Sequence, residues 1–195
     1  MRSLIYSRRN PYMTMLLLAM GGSVIFFLVL IVAYFNRAGM PDWRPVPLPA
    51  VFWVSTFIMV FSSFTLQQAN ENYKAERYEH FKNWIGFTLL LGAIFLLSQG
   101  AGWFDLIMMH HTMTDSVSAA FLYLMSGLHA AHILLGLVVL IMIYRDAVRN
   151  TEYVDGFITS LDPVKSSRLK LMTYYWHFVD ALWFGLFLLF LGQGG

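Results

Sequence analysis

The sequence predicts an all-α integral membrane protein, a bundle of five transmembrane helices with the N-terminus cytoplasmic and the C-terminus periplasmic. Three observations carry this. Of 195 residues, 58% are hydrophobic and only 12% charged, where a soluble domain has about 45–50% apolar and about 25% charged residues. Of the 24 charged residues, 23 lie outside five long apolar runs and one, Asp180, lies inside. The loop charges, finally, fall almost entirely on one side.

A hydrocarbon core of roughly 30 Å needs about 20 apolar residues at ~1.5 Å rise each. The runs 12–35, 48–66, 83–104, 116–144 and 171–192 meet that length and form a single membrane domain over 1–195. Lipid-facing barrel strands are about 10 residues long and alternate in polarity; these runs do neither. The first follows Arg2, Arg8 and Arg9 as a secretory signal would. Its 24 residues exceed a signal's ~7–15-residue apolar core, and no small-x-small cleavage site follows Asn36, so it reads as a retained helix. The loop 36–49 holds four of the six prolines (Pro41, Pro45, Pro47, Pro49), which predicts a stiff, extended entry to the second helix. Ser55, Thr56, Ser62, Ser63 and Thr65 give that helix a polar stripe that should face protein rather than lipid. Gly86 and Gly92 on the third helix, and Gly21, Gly22 and Ser23 on the first, are small residues that let helices approach closely. On the fourth, Ser126, Gly127, Ala130, Ala131 and Gly136 do the same. The segment 145–170 reads as the longest loop.

With the N-terminus inside, the cytoplasmic segments hold 11 Lys/Arg and the outer ones two, Arg37 and Arg44. This is a positive-inside distribution. Tyr12, Tyr34, Trp53, Trp84, Trp103, Tyr144, Tyr174, Tyr175 and Trp176 sit near run ends, at headgroup level. A formal net charge of +2 without a basic–aromatic stripe argues against a nucleic-acid partner. Zero Cys excludes disulfides, Cys-ligated zinc, iron–sulfur clusters and thiolate-bridged copper in this chain. Hydrolase, kinase and nucleotide motifs are absent from the sequence.

Ionisable residues inside spans mark a functional or packing role. His129 and His132 on the fourth span, and His177 and Asp180 on the fifth, are each spaced i,i+3 and share a face. Three chemistries fit them: a haem or metal site, a proton relay, or a buried hydrogen-bonded cluster fixing the fourth helix against the fifth. His177 lies ~8 Å and His132 ~18 Å from the inner ends of their runs, an awkward mismatch for ligating one haem from both sides. His80, His110 and His111 fall in loops, where the adjacent pair His110–His111 is a possible adventitious metal binder.

The stretch Ser126-Gly127-Leu128-His129-Ala130-Ala131-His132 through Gly136 resembles the GxHxxHxxxG segment of subunit III of haem–copper terminal oxidases. Tyr174-Tyr175-Trp176-His177-Phe178-Val179-Asp180 with Trp183 resembles that family's C-terminal YWHFVDxxW. Ser62-Ser63 on the second helix, and Leu91-Gly92, Phe95 and Gln99 on the third, fit in order and separation. The resemblance runs from about residue 12 to the end. It implies the short, five-helix bacterial form, lacking the family's first two helices, in the cytoplasmic (inner) membrane. It also implies a non-catalytic subunit of a cytochrome c or quinol oxidase, a proton-translocating oxidoreductase of aerobic electron transport. Such a subunit packs on subunit I, supports its integrity and proton-uptake side, contacts other oxidase subunits and binds phospholipid. A respiratory supercomplex is a further possible partner. Haems and copper would sit in partner subunits, with no cofactor, metal or catalytic residue here. His129, His132, Trp176, His177 and Asp180 would form a buried polar cluster, and Ser126, Gly127, Ala130, Ala131, Gly136 and Gln99 would pack helices. Ser23 stands where many members carry a buried Glu, so a proton role for that Glu does not carry over. The rival readings are a small b-type cytochrome and a transporter, though the broken helices and inverted repeats of transporters are not evident.

Overall fold

A computed structural model describes residues 11–38, 40–41, 43–149 and 163–192, and these form five helices. These are α1 (Pro11–Ala38), α2 (Ala50–Lys74), α3 (Tyr78–Met108), α4 (Val117–Arg149) and α5 (Pro163–Leu191). All five are long and apolar enough to cross a membrane. Arg2, Arg8, Arg9, residues 150–162 of the 145–170 loop and the 193–195 tail lie outside the described residues.

Helices α2 to α5 close into a ring in which α2 packs on α3, α3 on α4, α4 on α5 and α5 on α2; α1 lies outside, against α4 and α5. Burial follows: 6% of the most apolar window of α1 is buried, against 39% in α2 and α4. Its outer faces are therefore lipid- or partner-facing. Phe27 and Tyr34 are its two buried side chains among the described residues. Tyr34 meets Trp43 of the following loop at 4.9 Å and Phe121 of α4 at 5.6 Å between ring centroids, which fixes the C-terminal end of α1.

The helices overrun the apolar runs at the basic end. The α2 helix continues past residue 66 to Lys74, supported by Asn72 donating to the Gln68 carbonyl at 2.8 Å and Gln67 to Glu71 at 3.2 Å. The predicted 145–170 loop begins as five more residues of α4, while α5 starts at Pro163, eight residues before its apolar run. Apolar length measures the hydrocarbon, whereas helix length also includes the turns that stand in water. Proline at the first helical position suits α5, because the missing N–H is one of the unpaired ones.

Two turns use left-handed backbone without glycine. Glu76 has φ 57° and His110 has φ 61°. Each sits just past a helix whose last carbonyls are capped in Schellman fashion: Arg77 N–H donates to Asn72 O and His111 N–H to Leu106 O, both at 2.9 Å. Residues 43–49 of the 36–49 entry hold no regular secondary structure, and Pro49, at its end, has φ −57° and ψ 142°. Ser118 pins it by donating to the Arg44 carbonyl. Between α3 and α4, the Asp115 carboxylate accepts from Thr112 N at 2.6 Å and Thr112 Oγ1 at 2.5 Å. Those bonds, the side-chain one foremost, hold its pKa below the usual carboxylate value.

Candidate functional site

The polar stripe of α2 is the inner spine of the ring. Ser55, Ser62 and Thr65 are almost fully buried and Thr56 is 8% exposed. Each hydroxyl meets one partner on a neighbouring helix. Gln99 Nε2 of α3 donates to Ser55 Oγ at 3.1 Å, and Thr65 and Thr88 share a hydrogen bond of 2.9 Å. From α5, Trp183 Nε1 donates to Thr56 Oγ1 at 3.1 Å and Trp176 Nε1 to Ser62 Oγ at 3.0 Å, while His177 Nδ1 lies 2.6 Å from Ser63 Oγ. The spacing explains the match. Thr56 and Ser62 are six residues apart on α2 and their partners Trp183 and Trp176 are seven apart on α5, each close to two helical turns on one face. Antiparallel helices with that repeat bring both ends into register together.

Trp176, fully buried, is the side chain around which four helices meet. A Cβ at Gly92 of α3 would stand 3.1 Å from its Cη2, and one at Gly136 of α4 would stand 3.0 Å from its Cζ3. The indole thus lies between two glycine positions and is tethered to α2. Gly102 makes the same kind of room for Phe52 and Gly86 for Tyr144. The small residues of α1 behave otherwise, since Gly21 and Gly22 have nothing within 4 Å. Ser126 is buried and accepts from Trp103 Nε1 at 3.0 Å; Gly127 lies beside the same ring, and Ala130 is buried. Ala131 faces outward instead.

The four ionisable residues do not hydrogen-bond to one another. His132 turns to α1, its Nε2 3.1 Å from Ser23 Oγ and its Nδ1 2.8 Å from the Leu128 carbonyl. Its own carbonyl accepts from Tyr175 Oη at 2.9 Å, tying α4 to α5. His177 turns to α2 through Ser63. That hydroxyl also interacts with Asp180, although neither carboxyl oxygen closes a hydrogen bond of ordinary geometry. His129 is fully buried between Phe95 and Trp183, ring centroids 5.6 and 5.0 Å away, and neither ring nitrogen has a hydrogen-bond partner among the described residues. Gln99 Oε1 is likewise unpartnered there. The physical reason for this dispersal is depth and facing. Residues three apart on a helix differ by about 60° in direction, so His129 points into the ring while His132 points to α1.

Chemically, His177 and Ser63 form a tie between α5 and α2, with Asp180 beside the same hydroxyl. Among the described residues no three of His, Cys, Asp and Glu gather to hold a metal. Sequence reasoning missed the Ser23–His132 pairing, and the assignment of each α2 hydroxyl to its own partner. The recurrence at about two helical turns, six residues on α2 and seven on α5, was the signal for the second.

A profile of the family described as cytochrome c oxidase subunit III matches residues 10–193. The chain belongs to that family. Cytochrome c oxidase subunit 3 of Corynebacterium diphtheriae is 31% identical to it, over 85% of this chain and 80% of the relative. That of Synechocystis sp. is 30% identical over 88% and 74%. A probable cytochrome c oxidase subunit 3 of Nocardia farcinica is 27% identical over 94% and 89%. Family membership makes the chain a multi-pass membrane subunit III of a respiratory oxidase complex that includes subunit I. In family terms, the C-terminal YWHFVD residues are those that lock α5 to the α2 hydroxyls. Ser23 of α1 is hydrogen-bonded to His132 of α4.

Proposed function

We propose that this chain is the non-catalytic subunit III of a bacterial respiratory haem–copper oxidase in the inner membrane, packing on subunit I and stabilising it and its proton-uptake side. The single observation that carries the reading is the use made of the family's own residues. Trp176, His177 and Trp183 spend their polar atoms on the α2 hydroxyls, so the motif holds helices in place. His132 and His177 each commit a ring nitrogen to a serine, which favours scaffolding over ligation.

The N-terminus lies in the cytoplasm. Lys74, Arg77, Lys82, Arg145, Arg149, Arg168 and Lys170 fall at one end of the bundle, where α2 and α4 finish and α3 and α5 begin, and basic loops stay inside. Phospholipid binds alongside α1. A cleft of about 300 Å³, lined mainly by Leu16, Leu135, Val139, Leu171 and Met172, separates it from α4 and α5 toward the basic end, with Arg168 at the margin, and another of about 290 Å³ lies toward the outer end. The haems and copper of the complex belong to its partner subunits.

The test is an oxidase assembled with Asp180→Asn or His132→Ala. Initial turnover should stay near wild type, while the enzyme loses activity sooner during turnover and releases this subunit more readily. Complete loss of activity from the first turnover, in a fully assembled complex, would overturn the reading.

A further inference from the structure

Residues 108–113 read Met-Met-His-His-Thr-Met, so three of the 12 methionines and two of the six histidines fall within six positions. They make the turn between α3 and α4. The backbone of that turn is committed: Met109 N–H donates to Asp105 O, His110 N–H to Ile107 O and His111 N–H to Leu106 O, all within 3.0 Å. Tyr123 Oη donates to the His111 carbonyl at 3.2 Å. The side chains, by contrast, are left outward. Met108 is 67% exposed, Met109 52% and Met113 59%. His110 is exposed and His111 half-buried, and neither imidazole makes a hydrogen bond among the described residues. His110 also occupies left-handed backbone, where glycine would cost less. A side chain is kept at that point despite the strain.

We propose that this turn binds Cu(I), through the imidazoles of His110 and His111 and thioethers from Met108, Met109 and Met113. Thioether is a soft donor that selects Cu(I), and imidazole accepts copper as well. The alternatives fit less well. No three of His, Cys, Asp and Glu come together here, so the nitrogen, oxygen and thiolate set that zinc requires is missing. The carboxylate of Asp115, which faces both histidines electrostatically, is engaged by Thr112. Neutral donors drawn from this set around a monovalent ion leave a single charge to solvate at a membrane surface, less than a divalent ion would. The turn lies at the end opposite the basic residues. Its placement on the outer face rests on the orientation proposed above, whereas copper binding itself does not.

The experiment uses the full chain, purified without a histidine tag, in detergent under anaerobic conditions, competing for Cu(I) with a chromophoric chelator such as bicinchoninate. Wild type should withdraw one Cu(I) per chain, and X-ray absorption should show both sulfur and nitrogen neighbours. Met108→Leu, Met109→Leu and Met113→Leu together should weaken binding by about tenfold or more. Adding His110→Asn and His111→Asn should abolish it with the helical circular dichroism unchanged, since asparagine tolerates left-handed backbone. The proposal is overturned if the chelator keeps all the copper, if the five-fold variant withdraws as much as wild type, or if the three leucines leave the affinity unchanged.

Discussion

Gly136→Ala probes the fit around Trp176. The new Cβ would meet Trp176 Cζ3 at 3.0 Å, Tyr175 Cε1 at 3.1 Å and Trp176 Cε3 at 3.2 Å, so the indole must retreat by about 0.4 Å to reach ordinary contact. It has little room to do so. Gly92 lies close to the other edge of the ring, and Nε1 is bonded to Ser62. Overpacking of this kind costs about 1–3 kcal/mol, while alanine returns up to ~1 kcal/mol of helix propensity. The net expectation is a loss of about 0.5–2 kcal/mol, read from reversible unfolding of the chain in bicelles. Trp176→Phe supplies the control, because the smaller ring frees the space the methyl needs. In the Gly136→Ala background that substitution should cost at least ~1 kcal/mol less than alone, a coupling expected only of groups in contact. If Gly136→Ala is as stable as wild type, or if the two changes add within ~0.5 kcal/mol, the packing described around Trp176 is wrong.

Ser62→Ala and Thr56→Val each strand an indole N–H, and interhelical hydrogen bonds in membranes are worth about 0.6 kcal/mol on average and up to ~1.7. Losses in that range, adding in the double variant, are expected from the same unfolding assay; gains would contradict the spine. Ser23→Ala should speed amide exchange in α1 while leaving α2 and α3 unchanged, because the Ser23–His132 contact is a polar tie of that helix alone. Glu76→Gly removes a left-handed side chain and should raise stability by ~0.5–1 kcal/mol, seen as a higher melting temperature. Asp115, its folded pKa depressed by Thr112, contributes stability that is present above its unfolded pKa of about 3.9 and lost as pH falls through the lower folded value. Thr112→Val should bring the carboxyl titration, followed by NMR, back up toward the ordinary value; an unmoved titration would refute the cause.

Helices were legible because their signal is long-range and redundant, twenty or more apolar residues apiece. Their polar overhangs were not: the turn at Gln67–Glu71 is held by a local side-chain hydrogen bond, which hydropathy does not register, and α5 starts at Pro163, ahead of its apolar run. The stripe on α2 was visible as a stripe, since hydroxyls recurred on one face, and the structure buries it as that pattern requires. Partner identity was harder to read. Periodicity places His132 and His177 on faces of their helices, but which helix stands opposite is set by the ring order and by α1 lying outside it. Glycine carried mixed information for the same reason. Gly92 and Gly136 matter because an indole comes to them, while Gly21 and Gly22, similar in sequence, look onto open space.

The central claim is that this chain is a scaffold subunit, with its helix-locking residues doing the work that a haem or metal site would otherwise need them for. The most direct measurement is the visible spectrum of the complex purified through this chain, followed by separation of its subunits and haem assay of each. The account predicts haem that co-purifies with the complex and leaves entirely with the partner subunits. Haem remaining with the separated chain in one-to-one amount would contradict it.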